Sequence, residues 1–151
     1  MTANGHHLVK LEFTSSFEML DFVQVVCDFV SRGIGLDEDS SHWVSVAIRE
    51  SVINAIKHGN RNDESKRVFV DFETSTPAAG HELTIRVRDQ GEGFEPEEVA
   101  DPLAPENLLK SSGRGIFLIR NFMDDVRLQK VPQGGMEISM TKRVQPQTEA
   151  R

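Results

Sequence analysis

The stretch RDQGEGF, Arg88 to Phe94, ends a run that has been alternating as a strand. An acid, Asp89, is followed by two glycines, Gly91 and Gly93, with one side chain between them. Two readings fit these residues. Asp and Gly are ordinary turn formers, Asp because it bonds its own backbone and Gly because it tolerates positive φ. Alternatively, two residues without a Cβ let a ligand approach the main chain closely. The stretch alone does not choose between them.

Working outward, Leu83, Ile85 and Val87 alternate with Thr84, Arg86 and Arg88, and Val68, Val70 and Phe72 do the same upstream. The period of two predicts strands with one buried and one solvated face, hence mainly antiparallel pairing. Leu8 to Phe13 reads as a first strand, Val126 with Leu128 as a fourth, and Met136, Ile138 and Met140 as the last. Ser15 with Glu18 has the spacing of a capping box and predicts a helix to about Ser31, its apolar stripe being Phe17, Leu20, Val23, Cys27 and Val30. A second helix is predicted from about Asp37 to His58, ended by Gly59. Glu95 to Ser112 is rich in Pro, acid and Ser and reads as a candidate lid, before a short helix bearing Ile116 to Met123. Helices early and strands mostly late predict an α+β fold: a two-layer sandwich of a mixed, mainly antiparallel sheet with helices on one face. Residues 1–151 read as one domain, with a structured core over about 8–143 and a polar tail over 144–151.

The second helix carries chemistry on one face. Glu50 and Asn54 are four residues apart and share that face, with Lys57 and His58 one turn further. Val44, Ile48, Val52, Ala55 and Ile56 lie roughly opposite, and Trp43, Ala47 and Ile53 make a further side apolar. A solvated polar face would account for Glu50 and Lys57. It does not account for Asn54, a poor helix former in mid-helix. An amide oxygen beside a carboxylate suits a hard cation such as Mg²⁺. His58 is favourable against the helix dipole without any catalytic role.

Composition narrows the classes. The chain has 151 residues, 38% hydrophobic and 27% charged, with a formal charge of −7 and a pI near 5.2. That charge argues against nucleic acid as a direct partner, since phosphate binding needs a basic footprint. No run is long and apolar enough for a membrane span, and the first ten residues lack a signal-peptide core. One cysteine, Cys27, and no zinc-type spacing among the histidines predict a cytoplasmic protein without a zinc site.

Three boxes in order carry more than any one of them. Glu50…Asn54 lies on a helix, DQGEG spans Asp89 to Gly93, and Gly113-Arg114-Gly115 opens a helix. This combination resembles the N, G1 and G2 boxes of the GHKL (Bergerat-fold) ATP-binding superfamily. NAIKHGN, DQGEGF, Asp101-Pro102 and GRGIFLIRNFMDDV look most like its bacterial anti-sigma factors with serine-protein kinase activity (RsbW-like), over roughly Leu8 to Arg143.

The resemblance implies that ATP and Mg²⁺ are the cofactors. Asp89 matches the acceptor for the adenine amino group, where guanine would present a repelling carbonyl. Gly91 and Gly93 match the bare backbone beneath base and ribose. Asn54 matches the Mg²⁺ ligand, and Glu50 the proposed general base. Gly113, Arg114 and Gly115 match the phosphate-side box; Lys57 either reaches a phosphate or is an ordinary helix-surface Lys. Many relatives carry Thr after the glycine that opens the last strand; here Gly135 is followed by Met136, which has no hydroxyl to support base recognition.

The implied function is binding of a sigma factor and phosphorylation of a serine on a STAS-type anti-sigma antagonist, by a homodimer. A nucleotide-gated binding module without kinase activity, or a detached histidine-kinase ATP-binding domain, are the alternatives. Against the last, the chain has no room for a dimerisation helix pair with a phosphoacceptor His, KHGN lacks the aromatic-plus-hydroxyl ending, and Phe117 stands where such kinases often carry a further Gly.

Overall fold

The computed structural model describes residues 6–76, 80–92 and 118–144. In chain order the elements are β1 (His7–Thr14), α1 (Leu20–Gly33), α2 (Glu38–Asn54), β2 (Arg67–Ser75), β3 (His81–Arg88), β4 (Asp125–Lys130) and β5 (Met136–Val144). A helical segment covers 118–122. The expected α+β arrangement is present. The five strands form one sheet in the order β1-β2-β3-β5-β4, and every pairing is antiparallel, so the mixed pairing anticipated from sequence does not occur among the described strands.

The alternation of each strand becomes one apolar sheet face. Register pairs Phe13 with Val68, Val70 with Val87, Phe72 with Ile85, and Ile85 with Met140. All of these are buried, in one cluster with Val44, Ile48 and Val52 of α2 and Val23, Cys27 and Val30 of α1. Each fully buried aliphatic or aromatic side chain of this kind is worth about 1.5–3 kcal/mol. Burial holds the Cys27 thiol up at about 12. The opposite sheet face carries ion pairs such as Arg86–Glu73 at 2.8 Å.

Helix starts differ from the expectation in one respect. Asp37 caps α2 as anticipated, its Oδ1 accepting from the Ser40 N–H at 2.7 Å. At the first helix the cap is Ser16, not Ser15: Ser16 Oγ accepts from the Glu18 N–H at 3.3 Å and opens a single 3-10 turn, Phe17–Met19, with α1 following at Leu20. Ser15 is still tied to the sheet edge by its N–H to the Lys66 carbonyl, so the chain cannot turn until one residue later. The shift also takes Phe17 out of the apolar stripe: it is 47% exposed, while Leu20, Val23, Cys27 and Val30 are buried.

The second helix does not run regularly to His58. Its α-helical part ends at Asn54, and Ala55–Gly59 form a π-helical turn closed by the Asn60 N–H on the Ala55 carbonyl at 2.7 Å. Arg61 and Asn62 then lie at φ 55° and 60°, in the left-handed region. The widened turn and the two left-handed residues bring the chain back toward β2. Single π turns inside helices are concentrated at functional sites.

Candidate functional site

The strand β3 ends at Arg88, and Asp89 stands just beyond it, 6% exposed. Its Oδ1 accepts two backbone N–H groups, from Gly91 at 2.8 Å and from Met136 at 3.2 Å. Its own N–H donates to the Met136 carbonyl at 3.1 Å. Oδ2 receives no hydrogen bond among the described residues. Burial pushes the carboxyl above its ordinary value, and the two N–H donors and the nearby Lys66 only partly offset this.

Three glycines enclose that carboxylate. A Cβ on Gly59 would stand 2.1 Å from Asp89 Oδ2, one on Gly135 would stand 2.2 Å from the Asp89 carbonyl oxygen, and one on Gly91 would stand 2.0 Å from the Gly59 carbonyl oxygen. Gly135 also sits at φ +92°. Gly91 is required because the chain's own Gly59 carbonyl packs against it, and not by a positive φ; Gly93 lies outside the described residues. The end of the second helix, the end of β3 and the start of β5 therefore meet at one buried acid.

A second set of bonds fixes the same junction. Asn60 is fully buried; its Nδ2 donates to the Arg67 carbonyl at 3.0 Å and its Oδ1 accepts from the Gln90 N–H at 2.8 Å. The Gln90 side chain closes the ring by accepting the Arg67 N–H at 2.8 Å. Sequence reading did not single out Asn60 or Gln90. An Asn one residue after a helix-ending glycine looks like any turn residue until its partners, 7 and 30 positions away, are known.

Glu50 and Asn54 lie on the last turns of α2, both half-buried, and neither side chain makes a hydrogen bond or ion pair among the described residues. Lys57 and His58 are exposed in the π turn. Partial desolvation, and then Lys57, lower the pKa of the His58 ring below its ordinary value even though the residue is largely exposed. Gly59 places this helix end against Asp89, so the structure brings Glu50, Asn54 and Lys57 onto the element that abuts Asp89 and Gly91. Gly93, Gly113, Arg114, Gly115 and the candidate lid lie outside the described residues. The Met136 side chain does not replace the missing Thr hydroxyl, but its main chain holds Asp89 through both its N–H and its carbonyl.

Residues 18–142 match the family model of the histidine kinase-like ATPase domain. The chain is 30% identical to an anti-sigma F factor of Oceanobacillus iheyensis, over 90% of this chain and 92% of that one. It is 33% identical to the anti-sigma F factor of Anoxybacillus flavithermus, over 89% and 90%. It is 29% identical to the serine-protein kinase RsbW of Staphylococcus epidermidis, over 89% and 85%. The chain belongs to the anti-sigma factor and serine-protein kinase family of the GHKL ATPases. The glycine-enclosed acid stands against the end of the helix that bears Glu50 and Asn54. Among the described residues no helix is long and apolar enough to cross a membrane.

The residues present fit a bound Mg-nucleotide. Asp89 has one carboxylate oxygen saturated by N–H groups and the other without a hydrogen bond among the described residues, which leaves it an acceptor for an exocyclic amine. The glycines let the main chain close around Asp89 where any Cβ would collide with the acid or with the Gly59 carbonyl. Glu50 and Asn54 offer oxygen donors, the set a hard cation takes.

Proposed function

We propose that this protein is an anti-sigma factor that binds Mg-ATP and phosphorylates a serine on a STAS-type antagonist, holding a sigma factor when the antagonist is inactive. The observation that carries the reading is Asp89, buried, oriented by two N–H groups and enclosed by glycines at the end of the helix bearing Glu50 and Asn54. The relatives named anti-sigma F factor and serine-protein kinase support it.

Each residue then has one task. Asp89 accepts from the adenine amino group through its open oxygen and so selects against guanine. Gly91 and Gly93 keep the main chain bare beneath base and ribose. Asn54 offers its amide oxygen to Mg²⁺. Lys57 and the Gly113-Arg114-Gly115 box take the phosphate side, a task that backbone N–H groups and a guanidinium fork suit. Mg-ATP supplies the transferable phosphoryl group. Glu50 takes or orients the proton of the antagonist's serine hydroxyl. A carboxylate so near a polyanion contributes nothing to holding it, so its value lies in transfer. The protein works in the cytoplasm as a homodimer.

The test uses purified protein, labelled ATP and the STAS protein that occurs with it. Glu50→Gln keeps shape and removes the charge. Mg-ATP affinity should be unchanged or slightly higher, sigma-factor binding should persist, and phosphorylation should fall by at least roughly a hundredfold, within the 10²–10⁴ typical of general-base assistance. Full kinase activity in Glu50→Gln removes Glu50 from the mechanism. Wild-type protein that binds ATP and sigma factor but transfers no phosphate is a nucleotide-gated binding module.

A further inference from the structure

At the end of β3 the sheet ladder breaks on both sides, and side chains stand in for main-chain partners. The β2–β3 register runs out at Phe69 with Arg88, and its continuation sets Arg67 across from Gln90. Both main-chain groups of Arg67 point to the β3 side, so a continued antiparallel ladder would have these two residues exchange both N–H···O=C bonds. They meet through amides instead. The Arg67 N–H donates to the Gln90 side-chain oxygen at 2.8 Å. The Arg67 carbonyl accepts from Asn60 Nδ2 at 3.0 Å, and the Gln90 N–H donates to Asn60 Oδ1 at 2.8 Å.

On the β5 side the register carries Asp89 to Met136, one step past Arg88 with Glu137. The Asp89 N–H keeps its bond to the Met136 carbonyl at 3.1 Å, but the Met136 N–H donates to the Asp89 side chain at 3.2 Å. Asp89 therefore hangs from β5 by its own N–H and carboxylate, while the chain one residue on is held off β2 by a wedge of two amides. Asn60 is the inner half of that wedge, fully buried and set by its own N–H on the Ala55 carbonyl. A side-chain amide carries a donor and an acceptor on one planar group, and the position uses both. A carboxylate there could not donate to the Arg67 carbonyl.

We infer that Asn60 and Gln90 are positioning residues for base selection, an inference that rests on the reading of Asp89 as the adenine acceptor. A continued Arg67–Gln90 pair would keep residues 89–91 in the sheet. The wedge lengthens that step by a side-chain amide and lets the segment turn to the end of the second helix, where the Gly59 carbonyl packs on Gly91. The carboxylate is then fixed between Gly59 and Met136 at one angle. Telling an amine from a carbonyl at one position of a base depends on that fixity. An acceptor free to swing loses the amine and no longer repels the carbonyl. Neither amide has to touch the nucleotide, since each acts through Asp89.

The experiment turns on Gln90, which is exposed, so its substitution leaves the core intact. Gln90→Ala removes the acceptor for the Arg67 N–H, and Gln90→Glu keeps one. Calorimetry gives the affinities of wild type and both variants for Mg-ATP and Mg-GTP, well below their melting temperatures, and amide hydrogen exchange at Arg67 follows the bond itself. Gln90→Ala should speed that exchange and cut the ATP-over-GTP affinity ratio about three- to tenfold, the span of one hydrogen bond. Gln90→Glu should keep the wild-type ratio, because its added charge weakens both nucleotides alike. A purely structural bond would lower the melting temperature and leave the ratio alone. A ratio unchanged in Gln90→Ala, or lowered as far in Gln90→Glu, overturns the wedge as a selectivity device. Wild-type protein that takes ATP and GTP equally overturns the Asp89 reading, and the inference with it.

Discussion

Gly59 lies so close beneath Asp89 that any Cβ at position 59 would come within 2.1 Å of the carboxylate oxygen Oδ2 and 2.3 Å of its carbon. The contact joins the π turn at the end of α2 to the loop after β3, and it leaves the acid one orientation.

Gly59→Ala is therefore a test of that cradle. The side chain cannot give way downward, because Gly91 and Gly135 close the other sides. Overpacking of this kind costs about 1–3 kcal/mol. Thermal unfolding should fall by a few degrees, on the order of 2–4 °C per kcal/mol for a chain this size. Nucleotide affinity should fall more than stability does, since the displaced group is the acceptor itself. An unchanged nucleotide titration would show that Asp89 does not read the base.

Asp89→Asn should act in opposite directions on folding and on binding. The Asp89 carboxyl is raised by burial, so the folded state is the stronger proton binder. Its contribution favours folding fully below the unfolded value of 3.8 and is lost as pH rises through the higher folded pKa. At pH 7 the ionised acid therefore costs the apo protein stability, and Asn, whose Oδ1 still accepts the Gly91 and Met136 N–H groups, removes that cost. Apo melting of Asp89→Asn should equal or exceed wild type. ATP affinity should drop roughly tenfold to a hundredfold, the effect of leaving one buried hydrogen bond unmade. Wild-type affinity should also decline as pH falls through the raised pKa, while the variant stays flat. Calorimetric titrations of ATP and GTP across pH check all three.

Asn54→Ala separates a metal ligand from a structural amide. Asn54 is half-buried with no polar partner among the described residues, so its loss should change stability little. Nucleotide affinity should fall clearly in Mg²⁺ and hardly at all in EDTA. The same loss in both buffers would make Asn54 a packing residue.

Asn60→Ala breaks the ring through Arg67 and Gln90. It removes the Asn60 partner of the Gln90 N–H and of the Arg67 carbonyl, both part-buried, and each hydrogen bond so lost costs about 0.5–1.5 kcal/mol. Chemical denaturation should show a lower midpoint with little change in slope. Glu50→Gln, which alters one half-buried side chain without a polar partner among the described residues, should leave the midpoint where it was.

Alternation made the strands legible. Val68, Val70 and Phe72, and Leu83, Ile85 and Val87, sit on the buried face, because a period of two leaves a half-buried strand no second choice of face. Asp89 and Gly91 were legible for a different reason: a close backbone approach forces glycine, and the sequence records it. Local competition defeated the rest. Ser15 and Ser16 are equally good caps by composition, and the Ser15 N–H bond to Lys66 decides between them from 51 residues away. The π turn after Asn54 leaves no mark in a 3.6-residue pattern, since Ala55 and Ile56 are apolar in either geometry. The Asn60–Arg67–Gln90 ring depends on backbone groups that any residue would carry.

The chain's lone thiol, Cys27, is 0% exposed beneath α1 and held at about 12. Only the thiolate is nucleophilic, and at neutral pH there is almost none of it in the closed protein. A thiol reagent can therefore modify this protein only after α1 lifts from the sheet. The rate of labelling is a clock for that opening, built into the wild-type chain and read without any substitution. Oxidants strong enough to switch an exposed cysteine would pass this one by while the protein stays closed.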